Sequence, residues 1–87
     1  MNIVIEDYFG NDVLKLDFQL RDKVITDGNI KAVGILSSIC GYDVADVDCD
    51  DNDMDYIRLQ QVNVDNSEEE GRKDLLLLIN KLTKHFI

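Results

Sequence analysis

An alternation of apolar and polar residues that breaks at a turn and then resumes constrains this chain most. Residues 2–8 and 13–20 flank Phe9-Gly10-Asn11-Asp12. Successive side chains of a strand point to opposite faces, and a Gly-Asn pair suits the two-residue turn of a hairpin. Together they predict a β-hairpin over residues 2–20. With Gly10 and Asn11 as the loop, Ile5 faces Leu16 and Ile3 faces Phe18, with Leu14 on the same side. Glu6 then faces Lys15 on the other side as an opposite-charge pair. One face of this hairpin is apolar and has to be covered by other elements.

The rest of the chain supplies the cover. Residues 21–26 read as a connector, and Asp27 is the expected N-cap of a helix over residues 28–40, with Gly41 just beyond its C-terminal end. Ala32, Ile35, Leu36, Ile39 and Cys40 recur at helical spacing, widened by Ile30 and Val33. Gly34 inside this helix suggests close approach to a neighbour.

A second hairpin is expected over residues 43–64. Val44-Ala45-Asp46-Val47-Asp48-Cys49 alternates, which places Ala45, Val47 and Cys49 on the core face and Asp46 and Asp48 on the other. A two-residue loop at Asp51-Asn52 would set Asp48 opposite Asp55 and Asp46 opposite Ile57, mixing charge with core. A five-residue loop over residues 50–54 instead pairs Val47 with Ile57, Ala45 with Leu59 and Asp46 with Arg58. It also leaves Tyr56 beside Asp48 on the outward face. Only the second register keeps both faces consistent. The later switch to Val62 and Val64 calls for a bulge near Gln60-Gln61.

Ser67 and Glu70 form the S-x-x-E capping box of a last helix. Its early glutamates and late Lys81, Lys84 and His85 complement the helix dipole. Leu75, Leu78, Ile79, Leu82 and Phe86 make its apolar stripe, and Leu76 and Leu77 broaden it, either as further core or as the seam of a homodimer. The order is therefore ββα-ββα, an α+β fold with two half-units of similar plan. A four-stranded, mainly antiparallel sheet with both helices on one face is expected, in one compact acidic domain spanning residues 1–87.

Charge is distributed unevenly along this plan. The chain carries 18 acidic and 9 basic residues, a net −9. Residues 43–70 hold eight Asp and three Glu against Arg58 alone, a local −10, so the remainder is near neutral at +1. Seven of the aspartates fall within DVADVDCDDNDMD, residues 43–55. Such a chain is repelled by nucleic acid and by anionic membranes, and attracted to basic proteins, among them those that handle nucleic acids.

Most catalytic readings find no support. His85 is the only histidine and sits at a helix end, where a dipole partner is commoner than a general base. Cys40 also lies at a helix C-terminus, which disfavours its thiolate. No phosphate-binding glycine loop and no G-x-S-x-G is present, and Cys40 and Cys49 with one remote histidine do not make a zinc set. Asp46, Asp48 and Asp50 match the first ligands of an EF-hand, but Asp51 stands where glycine is required and Ile57 where the bidentate glutamate belongs. No enzyme activity, metal or cofactor is therefore expected.

Carboxylates on one strand face recur about every 6.6 Å, of the order of the phosphate spacing along a nucleic-acid strand. A turn or a protected sheet edge is served by two or three charges, and seven exceed that need. The expectation is a protein-binding inhibitor whose Asp46, Asp48, Asp50, Asp51, Asp53, Asp55 and Tyr56 occupy the basic groove of a nuclease or nucleic-acid-binding protein. Two settings fit: an immunity protein or antitoxin against a nuclease toxin, and a phage inhibitor of the DNA-mimic or anti-CRISPR kind. The alternative is a non-catalytic structural or cation-binding module. Residues 1–7 read as a strand and the first basic residue is Lys15, not the layout of a secretory leader, so the expected location is the cytoplasm with both thiols reduced.

Overall fold

The computed structural model describes residues 1–18, 26–48, 56–63 and 68–86. Its elements run β1 (Asn2–Glu6), β2 (Asp12–Asp17), α1 (Asp27–Ile39), β3 (Tyr42–Asp48), β4 (Tyr56–Gln61) and α2 (Glu68–Phe86). The four strands form one sheet in the order β2-β1-β4-β3. The two hairpins are antiparallel and meet through a parallel β1–β4 pair at the centre. The fold is thus α+β with the expected ββα-ββα order. The two half-units share that order but not their placement: β1 is central, whereas its counterpart β3 is an edge strand.

One face of the sheet carries the core. Ile3 and Ile5 lie beside Ile57 and Leu59 across the central pair, and all four are fully buried. Val33 and Cys40 of the first helical segment and Leu78 and Leu82 of α2 close over them, so both helices serve the same face. Phe18 packs its ring 5.3 Å from that of Phe86, tying the end of β2 to the end of α2. Burying one such side chain contributes about 1.5–3 kcal/mol.

Both hairpin registers differ in part from expectation, for one physical reason. In the first, the loop is residues 7–11, and Ile3 pairs with Leu16 and Ile5 with Leu14. The Asp7 carboxylate sets this loop: its Oδ1 accepts from the backbone N–H groups of Phe9 and Asn11, each at 2.9 Å. The Gly10 N–H donates to the Asp7 carbonyl, and Gly10 takes φ +84°, which glycine adopts without strain. A bulge beside Glu6 then leaves Val13 unpaired and exposed, restoring Leu14 and Leu16 to the core side. Glu6 consequently faces Asp12 rather than Lys15, which pairs with Val4.

In the second hairpin Val47 faces Ile57, Asp46 faces Arg58 and Asp48 faces Tyr56, as the five-residue loop requires. The bulge, however, lies on β3 at Ala45 and not at Gln60-Gln61, so Val44 rather than Ala45 pairs with Leu59. Unbroken alternation would have aimed Asp43 at the core. The bulge turns Tyr42 and Val44 inward and leaves Asp43 and Ala45 exposed.

The helices also depart from the predicted faces. Thr26, not Asp27, caps α1, its Oγ1 accepting from the Asn29 N–H at 3.1 Å. The inward stripe runs Ile30, Val33, Leu36, Ser37, Cys40, while Ile35 and Ile39 are 61% and 63% exposed. Ser37 is admitted to the core because its Oγ donates to the Gly34 carbonyl at 3.1 Å. On α2 the stripe through Leu75, Leu78, Leu82 and Phe86 holds, but Leu76 and Leu77 face outward and are not core. The Ser67 capping box lies outside the described residues, as does the side chain of Glu68.

Candidate protein-binding edge

The sheet face turned away from the helices carries the charge. By register it presents Asp12, Lys15 and Asp17 from β2, Asn2, Val4 and Glu6 from β1, Tyr56, Arg58 and Gln60 from β4, and Asp43, Asp46 and Asp48 from β3. That is six acids against two bases. Val4 is nevertheless 4% exposed, because it sits at the floor of a 240 Å³ depression walled by Lys15, Tyr56 and Arg58. Long cationic side chains cover apolar surface with their stems while their heads stay in water.

Arg58 decides the electrostatics of this face. Its position opposite Asp46 predicts a neutralising pair, and the side chain does not make it. Arg58 Nη1 reaches Glu6 Oε1 at 2.6 Å and Asp12 Oδ1 at 3.3 Å, across the sheet in the other direction. The guanidinium also lies 5.1 Å above the Tyr56 ring. The hydrogen bond to Glu6, then that to Tyr56, holds Arg58 more firmly protonated than an ordinary arginine. Glu6, whose side chain is 11% exposed, requires a partner of this kind.

Among the described residues the β3 edge has no cation partner. Asp46 Oδ1 accepts only a local bond from the Val47 N–H at 2.9 Å. Among the described residues no lysine or arginine pairs with Asp43, Asp46 or Asp48. Asp46 and Asp48 share the outward face and stand roughly 7 Å apart along the strand. Tyr56 is half-buried beneath Arg58, so its ring faces the sheet's own cation. Asp50, Asp51, Asp53 and Asp55 lie outside the described residues, as does Cys49. The structure therefore brings Asp46, Asp48 and Tyr56 together and adds Asp43, which plain alternation had turned inward. A carboxylate on the core side of an otherwise apolar strand was the signal that a bulge had to intervene.

Other chemistry is thinly represented. Burial pushes the Cys40 thiol above its usual range, with Lys81 opposing and Asp74 adding to the effect, so the thiolate is disfavoured. His85 is exposed and stacks edge-on against Phe86 with ring centres 4.8 Å apart. Among the described residues no group of three or more His, Cys, Asp or Glu is gathered as a metal site, and no helix is long and apolar enough to cross a membrane. No protein-family model matches this chain, and neither does any curated protein or solved structure.

Proposed function

We propose that the chain is a protein-binding inhibitor that places the β3 edge and the following Asp-rich hairpin against the basic groove of a nuclease or nucleic-acid-binding partner. The observation that carries this reading is the direction of Arg58. The one base within residues 43–70 is spent on Glu6 and Asp12, and among the described residues no cation neutralises the carboxylates of β3. Like charges held together weaken a fold, and a groove lined by Arg and Lys relieves that repulsion and steers association. The mechanism is occlusion without turnover. A toxin-immunity pair and a phage-encoded inhibitor both fit this chemistry, in the cytoplasm.

The competing reading is edge protection, and the two edges of the sheet weigh against it. The β2 edge carries a bulge and charges of both signs, Asp12, Lys15 and Asp17. The β3 edge has its own bulge and charges of one sign only, which continue into residues 50–55. Mixed charge blocks strand pairing as well as single-sign charge does, so a uniform sign points to recognition. Capture from the source cells followed by mass spectrometry identifies the partner. The D50N/D51N/D53N variant is then expected to keep its fold, bind that partner more weakly and lose much of the salt dependence. Unchanged affinity would rule out the acidic-groove mechanism.

A further inference from the structure

At the end of the sheet where β1 and β4 finish and β3 begins, the β1–β2 loop and the last residues of β4 border an open groove of about 390 Å³. It is lined by Tyr8, Asp43, Ala45, Gln60, Gln61 and Val62. The local geometry explains why it is open. The β3 bulge moves Ala45 outward and turns Asp43 to the same side. Gln60 Nε2 donates to the Tyr8 carbonyl at 2.9 Å, fixing the loop against β4, and the Asp7 carboxylate fixes the loop internally. Phe9, 78% exposed, stacks edge-on against Tyr8 at 5.4 Å.

The lining offers an aromatic ring, two amides, small apolar walls and a single charge. That charge is Asp43, which pairs with no cation among the described residues. A guanidinium matches this set: it is planar, stacks on aromatic faces, is weakly hydrated and bonds a carboxylate through two N–H groups. An ammonium carries the same charge without the flat, stackable shape. We propose that this groove receives an arginine side chain of the basic partner, as a second contact separate from the Asp-rich hairpin. The proposal rests on the partner-binding reading above. Asp43 pairs with Gln60 and Asp48 with Tyr56, four β4 residues apart, so the groove and the end of β3 stand about 13 Å apart. Two linked contacts reinforce each other only when the partner spans that distance, which makes the groove a determinant of specificity.

The test uses the isotope-labelled full chain and N-acetyl-L-arginine amide, with the lysine and phenylalanine amides as comparators. The arginine probe is expected to give saturable amide shifts confined to residues 8, 9, 43–45 and 60–62, and to bind more tightly than either comparator. Asp43→Asn and Tyr8→Leu, each with an otherwise unchanged spectrum, are expected to weaken it about two- to fivefold. The proposal is overturned if the shifts spread over the acidic strand without saturating, if the phenylalanine amide binds best, or if neither variant changes the affinity. A hexa-arginine peptide separates this from the underlying reading. Should D50N/D51N/D53N leave its affinity and salt dependence unaltered, the acidic-hairpin reading fails, whereas the monomeric probe alone decides the groove.

Discussion

Arg58 lies opposite Asp46 in the β3–β4 register but bonds to Glu6, 2.6 Å away on the neighbouring strand. Glu6 is the more buried acid, so the cation goes where an unpaired charge costs most. Replacing Arg58 with Gln strands that carboxylate. The single variant is expected to melt at a lower temperature than the E6Q/R58Q double variant, in which only the exposed Asp12 loses its partner and no buried charge is stranded. Thermal melts of the two side by side check this, and equal melting temperatures would mean the pair is incidental.

Gly34 within α1 and Gly41 just beyond its end should respond in opposite directions. A Cβ at Gly34 would meet Val44 Cγ2 at 3.9 Å, an ordinary contact. Gly34→Ala is therefore expected to stabilise the fold by about 0.5–1 kcal/mol. Gly41 sits at φ +79° with its carbonyl accepting from the Val62 N–H, and a Cβ there would meet Asn63 Nδ2 at 2.9 Å. The Asn63 side chain is exposed and can move, so backbone strain dominates, and Gly41→Ala should cost about 1–2 kcal/mol. Denaturant unfolding measures both.

The last helix separates core from surface within four residues. Leu78→Ala empties a fully buried position and is expected to cost about 2–5 kcal/mol. Leu76→Gln, at a position 61% exposed, should change stability by no more than about 0.5 kcal/mol. A large loss at Leu76 would show that the outward face is covered in solution.

Alkaline pH should destabilise the fold through Tyr42 and Cys40. Burial, with Asp74 adding to it, pushes the Tyr42 phenol above its ordinary 10.0, and burial likewise raises the Cys40 thiol above 9.0. Between its unfolded value and its higher folded value, each group holds more proton in the folded chain. The stabilisation is therefore complete below pH 9.0 and is lost as pH rises from there through the folded values. Melting temperatures from about pH 8 to about pH 11 should fall less steeply for Tyr42→Phe than for the parent chain. Parallel slopes would remove Tyr42 from the explanation.

The element order and the apolar faces of the strands were legible because strand alternation and turn residues agree. The second hairpin's register across Asp46–Asp48 was legible too, since only one register kept Asp46 off the core. What escaped were the bulges at Val13 and Ala45, each a one-residue correction of a face that the strict period of two would have mispaired. The Asp7-x-x-Gly10 spacing of a type I turn was also present in the sequence, and it overrode the two-residue Gly-Asn turn. On α1 the expected Ile30, Val33, Leu36 and Cys40 do face the core, but Ile35 and Ile39 do not, and Ser37 takes an inward place because a helical serine can satisfy its hydroxyl on its own backbone. At the candidate edge, the aspartates of β3 could be placed from alternation, whereas the destination of Arg58 could not. It depends on β1 lying parallel to β4, a pairing between strands more than fifty residues apart that no local pattern encodes.

The most direct test of the central claim measures how well the chain displaces nucleic acid from its captured partner as salt is raised from about 50 to about 300 mM. The D46N/D48N/D50N/D51N/D53N/D55N variant is expected to fold at least as stably as the parent, to lose displacement, and to show a flatter salt dependence in whatever binding remains. Displacement retained at parental strength by that folded variant would contradict the account.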